Sequence, residues 1–306
     1  MAISAASGTP QYSGTFVPTI WSTKFQVKFY AQTTLNKIAN SDYKGEVKNQ
    51  GDKVEIRTVP TITTGKYYKG ATITNQRPEA ANIQLEVSEA RYFSFIVDNI
   101  DEYQTDMALM GKFSEDGSNN MKTDIETEVY ADIYPDAHAS NKGATAGAKT
   151  SAFNLGATGA PFVVSKVNVL DLIIDVGTVL TEQNVPEGDR WGLIPPFMSG
   201  MILKSDIKDA SLSGDGQSTL RTGRIGMIDG NELYKTNLLT SVTDGSFTCW
   251  HPMFGHKSAL CFVAQMTETD NLKAESTFGQ IVRMLMAYGW KVIKPEALVD
   301  VYVRKG

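Results

Sequence analysis

Apolar and polar residues recur with a helical period between Asn119 and Tyr134. The apolar residues that stand four positions apart, and therefore share one face of a helix, are Met121, Ile125, Val129 and Ile133. The opposite face carries the polar residues Lys122, Asp124, Glu126, Glu128 and Asp132. Ser118 or Asn119 can cap the start, and Pro135 ends the helix because proline has no N–H. The pattern predicts an amphipathic helix about 24 Å long whose apolar stripe lies on the core.

Alternating apolar and polar residues predict two strands, Val54–Val59 and Ile83–Val87, before that helix. The stretch between them is polar and too long for an ordinary turn, so the pair reads as an extended β-hairpin with a long tip. The tip residues that could contact another molecule are Lys66, Tyr67, Tyr68, Lys69 and Arg77. A surface flap and an arm lying on a neighbouring subunit both fit this pattern. Arg91–Val97 returns as a strand.

The remaining segments are read in the same way. Asp98–Phe113 is predicted to contain a short helix and Ser114–Asn120 a loop. A strongly apolar helix is predicted at Val167–Gln183 with Ser165 as its N-cap, followed by a buried strand at Trp191–Ile194. Further predicted elements are a brief helix at Phe197–Leu203, a tight hairpin around Asp229-Gly230-Asn231, and strands at Ala259–Gln265, Phe278–Tyr288, Trp290–Ile293 after a bend at Gly289, and Val299–Val303.

Composition narrows the class of protein. The chain has 306 residues, 42% of them hydrophobic and 21% charged, which is typical of a globular protein that buries its own core. A net charge of −5 argues against a dedicated nucleic-acid binder. No apolar run is long enough to span a bilayer, and the polar N-terminus lacks the features of a signal peptide, so a cytoplasmic origin is expected. Cys249 and Cys261 stand in apolar surroundings and are predicted to be buried thiols.

Catalytic chemistry finds little support in the sequence. The spacing Cys249-x-His251-x4-His256-x4-Cys261 does not match the short ligand pairs of structural zinc sites. No phosphate-binding glycine loop, dinucleotide-binding fingerprint or nucleophile elbow is present. The three histidines offer no convincing partner for a nucleophile. We therefore predict no catalytic residue, no metal site and no cofactor.

Three stretches, in this order, carry a resemblance to a known family. They are VPEGDRWGLIPPFMSGMILKSD at Val185–Asp206, LRTGRIGMIDGNELYKTNLL at Leu220–Leu239, and STFGQIVRMLMAYGWKVIKPEALVDVYV at Ser276–Val303. With the hairpin and helix before them, they resemble the major capsid protein of tailed bacteriophages, which has the Hong Kong 97-type α+β fold. The resemblance implies an N-terminal arm at 1–40 and an extended loop at 41–89. It also implies a peripheral lobe at 90–160 and 253–306, with its spine helix at 119–134, and an axial lobe at 161–252.

The same resemblance implies function and partners. It implies a structural protein that self-assembles into pentamers and hexamers, forming an icosahedral head that encloses double-stranded DNA by non-specific contact. The chain shows no coiled-coil extension, so a separate scaffolding protein is expected, with a portal at one vertex and a cement or decoration protein as a further partner. Assembly is expected in the host cytoplasm and the final location is the virion, with no membrane. The candidate contacts between subunits are Trp21, Phe25, Lys66, Tyr67, Tyr68, Lys69, Arg77 and Glu126.

Two other readings stay open at this point. An encapsulin-type shell shares the fold but encloses cargo enzymes. A two-lobed, β-rich phage tail or binding protein belongs to a different class, and would form stable small oligomers instead of closed particles.

Overall fold

The computed structural model describes residues 30–31, 33–41, 53–58, 60, 62–79, 82–98, 109–205, 226–274 and 278–306. The helices in these ranges are α1 (Leu35–Ile38), α2 (Leu109–Ile133), α3 (Val169–Glu182) and α4 (Pro196–Lys204). The strands are β1 (Lys53–Arg57), β2 (Asn82–Glu86), β3 (Glu89–Asp98), β4 (Phe162–Val164), β5 (Arg190–Ile194), β6 (Met227–Ile228), β7 (Asn231–Lys235), β8 (Ser241–Asp244), β9 (Phe247–Trp250), β10 (Met253–His256), β11 (Leu260–Lys273), β12 (Gly279–Val292), β13 (Leu298–Asp300) and β14 (Val303–Lys305). The predicted α+β class is confirmed.

These strands form four sheets. β1 and β2 make a two-stranded ribbon, and β11-β12-β3 is an antiparallel sheet of three strands. The order β13-β10-β5-β7-β6 gives a mixed sheet in which β5 and β7 run parallel. The order β4-β14-β9-β8 gives a second mixed sheet, in which β4 and β14 run parallel. The C-terminal residues thus contribute to two sheets, which joins the end of the chain to its middle.

Helix α2 is longer than predicted. It has 25 residues, about 37 Å at 1.5 Å per residue, and the predicted loop Ser114–Asn120 is part of it. The sequence of that part is helix-poor, but tertiary contacts support it. A Cβ placed on Gly117 would lie 3.0 Å from the ring of Phe93, and Phe113 meets Phe95 edge to face. The predicted apolar stripe is confirmed, because Met121, Ile125, Val129 and Ile133 are all buried.

The extended hairpin is confirmed in its two strands. β1 and β2 are antiparallel, with Val54 opposite Leu85 and Ile56 opposite Ile83. Their apolar side chains form a cluster with Val263 of β11 and other residues of the long sheet. The hairpin base is therefore packed on the body of the protein, and its tip extends away from that base.

The sequence predicts a bend at Gly289, but the structure has no bend there. β12 runs unbroken from Gly279 to Val292. A Cβ at Gly289 would lie 2.2 Å from the carbonyl oxygen of Glu86, so glycine is needed there for the close approach of β2. The bend was inferred from glycine alone, and the residue serves packing instead.

The second half of the chain follows its prediction in part. Seven of the 14 residues of α3 and all five residues of β5 are buried. The strands predicted at Phe278–Tyr288 and Trp290–Ile293 form one strand, β12, and the single strand predicted at Val299–Val303 forms two, β13 and β14. The N-cap of α3 is Asn168 and not Ser165, because the helix begins two residues later than predicted. Asn168 Oδ1 accepts a hydrogen bond from Ser165 N at 2.7 Å, so the two residues form a turn before the helix. The hairpin turn at Asp229-Gly230 joins β6 to β7 with positive φ at both residues, as a type I′ turn requires.

Candidate functional site

The tip of the extended loop, residues 62–79, is the most exposed part of the described chain. It contains no helix or strand, but it is not without order. Thr63 and Gln76 close it by a pair of backbone–side-chain bonds, with Thr63 N donating to Gln76 Oε1 at 3.1 Å and Gln76 Nε2 donating to Thr63 O at 2.8 Å. Ala71 N donates to Tyr68 O across a turn in which Gly70 has a φ of 86°. The tip is therefore closed by hydrogen bonds between Thr63 and Gln76 and turns at Gly70.

Five of the candidate contact residues lie together on this tip. Lys66, Tyr67, Tyr68, Lys69 and Arg77 are all exposed. Tyr67 is 69% and Tyr68 68% exposed, although tyrosine usually buries most of its ring. No side chain of the five bonds to another described residue. Trp21 and Phe25, the two candidates in the N-terminal arm, lie outside the described residues.

Glu126 was placed on the polar face of the predicted helix, and that placement is wrong. Its side chain is buried, and its carboxylate accepts hydrogen bonds from the backbone N–H of Thr34 at 3.0 Å and of Leu35 at 2.9 Å. Tyr130 OH donates to the same carboxylate and lies 2.7 Å from Thr34 Oγ1. Burial raises the pKa of Glu126, against the lowering effect of these donors. Glu126 thus binds the segment before α1 in its own chain and cannot contact a neighbour.

A second set of polar contacts joins α2 to the three-stranded sheet. Arg91 Nη2 donates to Glu128 Oε2 at 3.0 Å and Arg91 Nη1 to Asp124 Oδ2 at 3.2 Å. Tyr288 OH donates to Glu128 Oε2 at 2.6 Å. Trp290 Nε1 donates to Asp132 at 2.9 Å. The acids predicted to form a solvated face are therefore partly engaged by β3 and β12. Sequence periodicity could not identify this, because a charged residue facing a basic or hydroxyl partner has the same period as one facing water.

Arg190 is a structurally important residue that sequence reasoning noted only as part of a motif. It is buried and donates to the carbonyl oxygens of Pro186, Gly177 and Val185 and to Thr181 Oγ1. Burial lowers its pKa, partly opposed by nearby acids. Gly177 and Thr181 belong to the last turns of α3, and Val185 and Pro186 lie in the loop that follows it. Arg190, the first residue of β5, thus joins that loop to the C-terminal end of α3, where the helix dipole favours a cation.

His251, Cys249 and Cys261 pack against other residues of the fold. His251 Nδ1 lies 3.0 Å from Asp300 Oδ1, and the imidazole stacks against Tyr134 with ring centroids 3.9 Å apart. Cys249 and Cys261 are both fully buried, as predicted. Within the part of the chain that the structure describes, no cluster of three acidic, histidine or cysteine residues could hold a metal ion. No described helix is long and apolar enough to cross a membrane.

Solved structures provide the comparison with known proteins. No family profile and no curated protein sequence matches the chain. The chain is similar to a structure from Mycobacterium phage Che8, with 25% identity and a TM-score of 0.74 over 95% of this chain and 98% of that one. It is also similar to the capsid of cyanophage P-SCSP1u, with 14% identity, a TM-score of 0.71 and coverage of 95% and 94%. A third similar structure is the mature capsid of bacteriophage PhiM1, with 14% identity, a TM-score of 0.66 and coverage of 94% and 91%.

These likenesses cover nearly the whole chain, so they apply to the complete arrangement of loop, long helix and sheets. The titles of several similar structures name a capsid or a head. The chain accordingly has the α+β fold of these phage capsid structures, which is the Hong Kong 97-type fold.

Proposed function

We propose that this chain is a major capsid protein, a structural protein of the virion that assembles into pentamers and hexamers and forms the icosahedral head around double-stranded DNA. The observation that carries the proposal is the extended loop. The five candidate residues on its tip are all exposed, while its base is packed by Val54, Ile56 and Leu85. A loop closed by hydrogen bonds and carrying exposed aromatic residues is suited to burial on a second subunit. Burying the rings of Tyr67 and Tyr68 would contribute roughly 2 kcal/mol each.

Charge supports the same contact. The tip carries Lys66, Lys69 and Arg77 against one acid, Glu79. The exposed acids of α2 are Glu115, Asp124 and Asp132. Because α2 also exposes Lys112 and Lys122, and Asp124 is paired with Arg91 in its own subunit, the acids that a basic tip would meet are Glu115 and Asp132. Such complementary contacts between copies speed association and fix its orientation. The tip of one subunit is proposed to lie on the peripheral lobe of the next.

Electron microscopy of the purified protein tests the proposal. Closed icosahedral particles, or rings of five and six subunits, are the expected result. The double variant Lys66→Glu/Lys69→Glu should reduce particle yield at least tenfold without lowering the melting temperature of the subunit. Its matched control is Lys149→Glu/Lys166→Glu, which makes the same change in net charge at two exposed lysines outside the tip. Stable trimers or monomers from the wild-type protein, or equal loss of assembly in both variants, would overturn the proposal.

We also propose the further partners that the resemblance to capsid proteins implies. A separate scaffolding protein, a portal at one vertex and a cement protein would join the shell, and assembly would take place in the host cytoplasm. A net charge of −5 suits an inner wall that does not hold the packaged DNA tightly. Purified shells should release DNA fragments at physiological salt. Retention that is lost only at high salt would contradict weak, non-specific contact.

A further inference from the structure

One face of the β4-β14-β9-β8 sheet is exposed, although it carries apolar side chains. Val163, Val242 and Phe247 lie on this face and are all exposed. Trp250 lies on the opposite face, because it stands three residues beyond Phe247 in β9 and side chains alternate along a strand. Its ring packs against Phe197 of α4, with centroids 4.9 Å apart. The outer face of the sheet, formed by the three exposed residues, therefore points away from α4.

Arg304 lies on this outer face. It pairs with Val163 in β4 and with Cys249 in β9, so its side chain shares the face of Val163. Its guanidinium carbon lies 3.8 Å from the centroid of the Phe247 ring. Within the part of the chain that the structure describes, the guanidinium forms no ion pair with an acid. Stacking uses the flat face of the group and leaves its N–H donors at the edge, so Arg304 is suited to bind a carboxylate.

A cavity beside Arg304 gives room for that carboxylate. It has a volume of about 380 Å³ and lies between the turn at 159–161 and the turn at 244–247. Asp244 in its wall accepts hydrogen bonds from Gly159 N at 2.6 Å and from Tyr302 OH at 3.2 Å. Because these two donors hold Asp244 within its own chain, the cation of Arg304 remains for an acid that comes from another molecule.

The exposed side of α3 carries acids that the described chain leaves unpaired. Asp171 and Asp175 stand four residues apart, so they share this side of the helix with the exposed Ile174. Among the described residues, neither carboxylate has a hydrogen bond or an ion pair. Burial, together with the nearby Asp171, raises the pKa of Asp175. The repulsion between the two acids would fall if a cation from outside the chain lay between them.

We propose that the outer face of the sheet in one subunit binds the exposed side of α3 in a second copy of this chain, with Arg304 between Asp171 and Asp175. A ring of five or six copies requires such a heterologous contact, in which two different surfaces of the same subunit meet. The apolar residues fit the same pairing, since Phe247 would cover Ile174. The inference rests on the proposed assembly into rings and deepens it, because it names the two surfaces that meet within a ring.

Charge reversal in the full-length chain, followed by electron microscopy, tests this pairing. Arg304→Glu, and separately Asp171→Lys/Asp175→Lys, should lower the yield of rings and particles by about tenfold without lowering the melting temperature of the subunit. Lys305→Glu is the matched control and should assemble like wild type, because it makes the same change in charge at a residue whose side chain points to the opposite face of the sheet. A chain that combines Arg304→Glu with Asp171→Lys/Asp175→Lys should recover assembly, since the pair is restored with its signs exchanged.

An equal mixture of the two kinds of variant separates contact between copies from contact within one chain. In a ring where Arg304→Glu subunits alternate with Asp171→Lys/Asp175→Lys subunits, every contact joins opposite charges. Alternation closes only with an even number of subunits. The mixture should therefore form rings of six and no rings of five.

The possible failures are distinguishable. If Arg304→Glu assembles as well as the Lys305→Glu control, the inference is overturned and the proposed function stands. A combined variant that assembles no better than Arg304→Glu overturns the inference as well. Wild-type protein that forms no rings overturns the proposed function, and the inference falls with it. If a reversed variant fails to fold, Arg304→Gln takes its place, and a wild-type yield of rings from that variant overturns the inference.

Discussion

Removing the buried guanidinium of Arg190 should strongly destabilise the subunit. The four acceptors are Pro186 O at 2.8 Å, Gly177 O at 3.2 Å, Thr181 Oγ1 at 3.1 Å and Val185 O at 2.6 Å. In Arg190→Leu, three backbone carbonyls lose this donor in a site that water does not enter readily. Each lost bond to a charged donor costs about 1.5–3 kcal/mol, and relief of the desolvation of the guanidinium offsets part of that loss. We expect a net loss of about 3–5 kcal/mol in the free energy of unfolding.

Urea unfolding of dissociated subunits provides the assay. Circular dichroism and the fluorescence of the neighbouring Trp191 should report one transition, shifted to lower urea with an unchanged m-value. Arg190→Lys keeps the charge but cannot reach four acceptors with one ammonium, so it should fall between wild type and Arg190→Leu. Arg283→Ala is the control, since it removes an exposed ion pair with Asp270 and should cost less than about 1 kcal/mol.

A small effect of Arg190→Leu would refute this reasoning. If Arg190→Leu unfolds within about 1 kcal/mol of wild type, the carbonyls of Gly177, Val185 and Pro186 find other donors, and the arginine does not hold the loop to the end of α3. A lowered m-value would instead indicate partial unfolding of the native state, and the estimate from individual bonds would no longer apply.

Three further variants test other parts of the structure. Gly289→Ala should lower the melting temperature by several degrees and speed exchange in β1 and β2, because its Cβ would meet the β2 backbone, whereas Gly200→Ala has free space around it and should not. Ile125→Asp should abolish soluble expression, while Thr127→Asp on the exposed side should express normally. Burial raises the pKa of Glu126, so the stability it contributes is fully present below its unfolded pKa and falls as pH rises through the folded pKa. Glu126→Gln imitates the protonated form, so its stability should be close to that of wild type at low pH, and wild type should become less stable than the variant as pH rises through the folded pKa of Glu126; a wild type that gains stability relative to Glu126→Gln as pH rises would contradict the sign.

Periodicity gave a sound prediction wherever one face of an element is apolar. The stripe of α2, the strands of the extended hairpin and the buried helix α3 all follow from it. It failed where distant contacts override local preference. The first three turns of α2 contain Gly111, Gly117 and several polar residues, and they are helical beside Phe93 and Phe95 of β3.

The contacts of polar residues were harder to predict from the sequence. Glu126 and Glu128 look alike in the sequence, yet Glu126 is buried under the segment before α1, and Glu128 is held by Arg91 and Tyr288. The partners of Glu126 lie about 90 residues away along the chain, and they are backbone N–H groups, which leave no trace in residue type. The exposed tip was easier to identify, since a long polar stretch between two alternating strands has no core to join.

The occupied flanks of α2 restrict where a neighbouring subunit can bind. One flank is bonded to the three-stranded sheet through Arg91, and the opposite flank holds the segment before α1 through Glu126. The helix therefore acts as a joint within one subunit. The face of the sheet that points away from α2 exposes Tyr92 and Ile96, at 77% and 51%. Phe278, at 87%, Leu272, at 42%, and Phe113, at 40%, are exposed as well, so a neighbour that gains apolar burial can use these side chains, this face of the sheet or the loop tip.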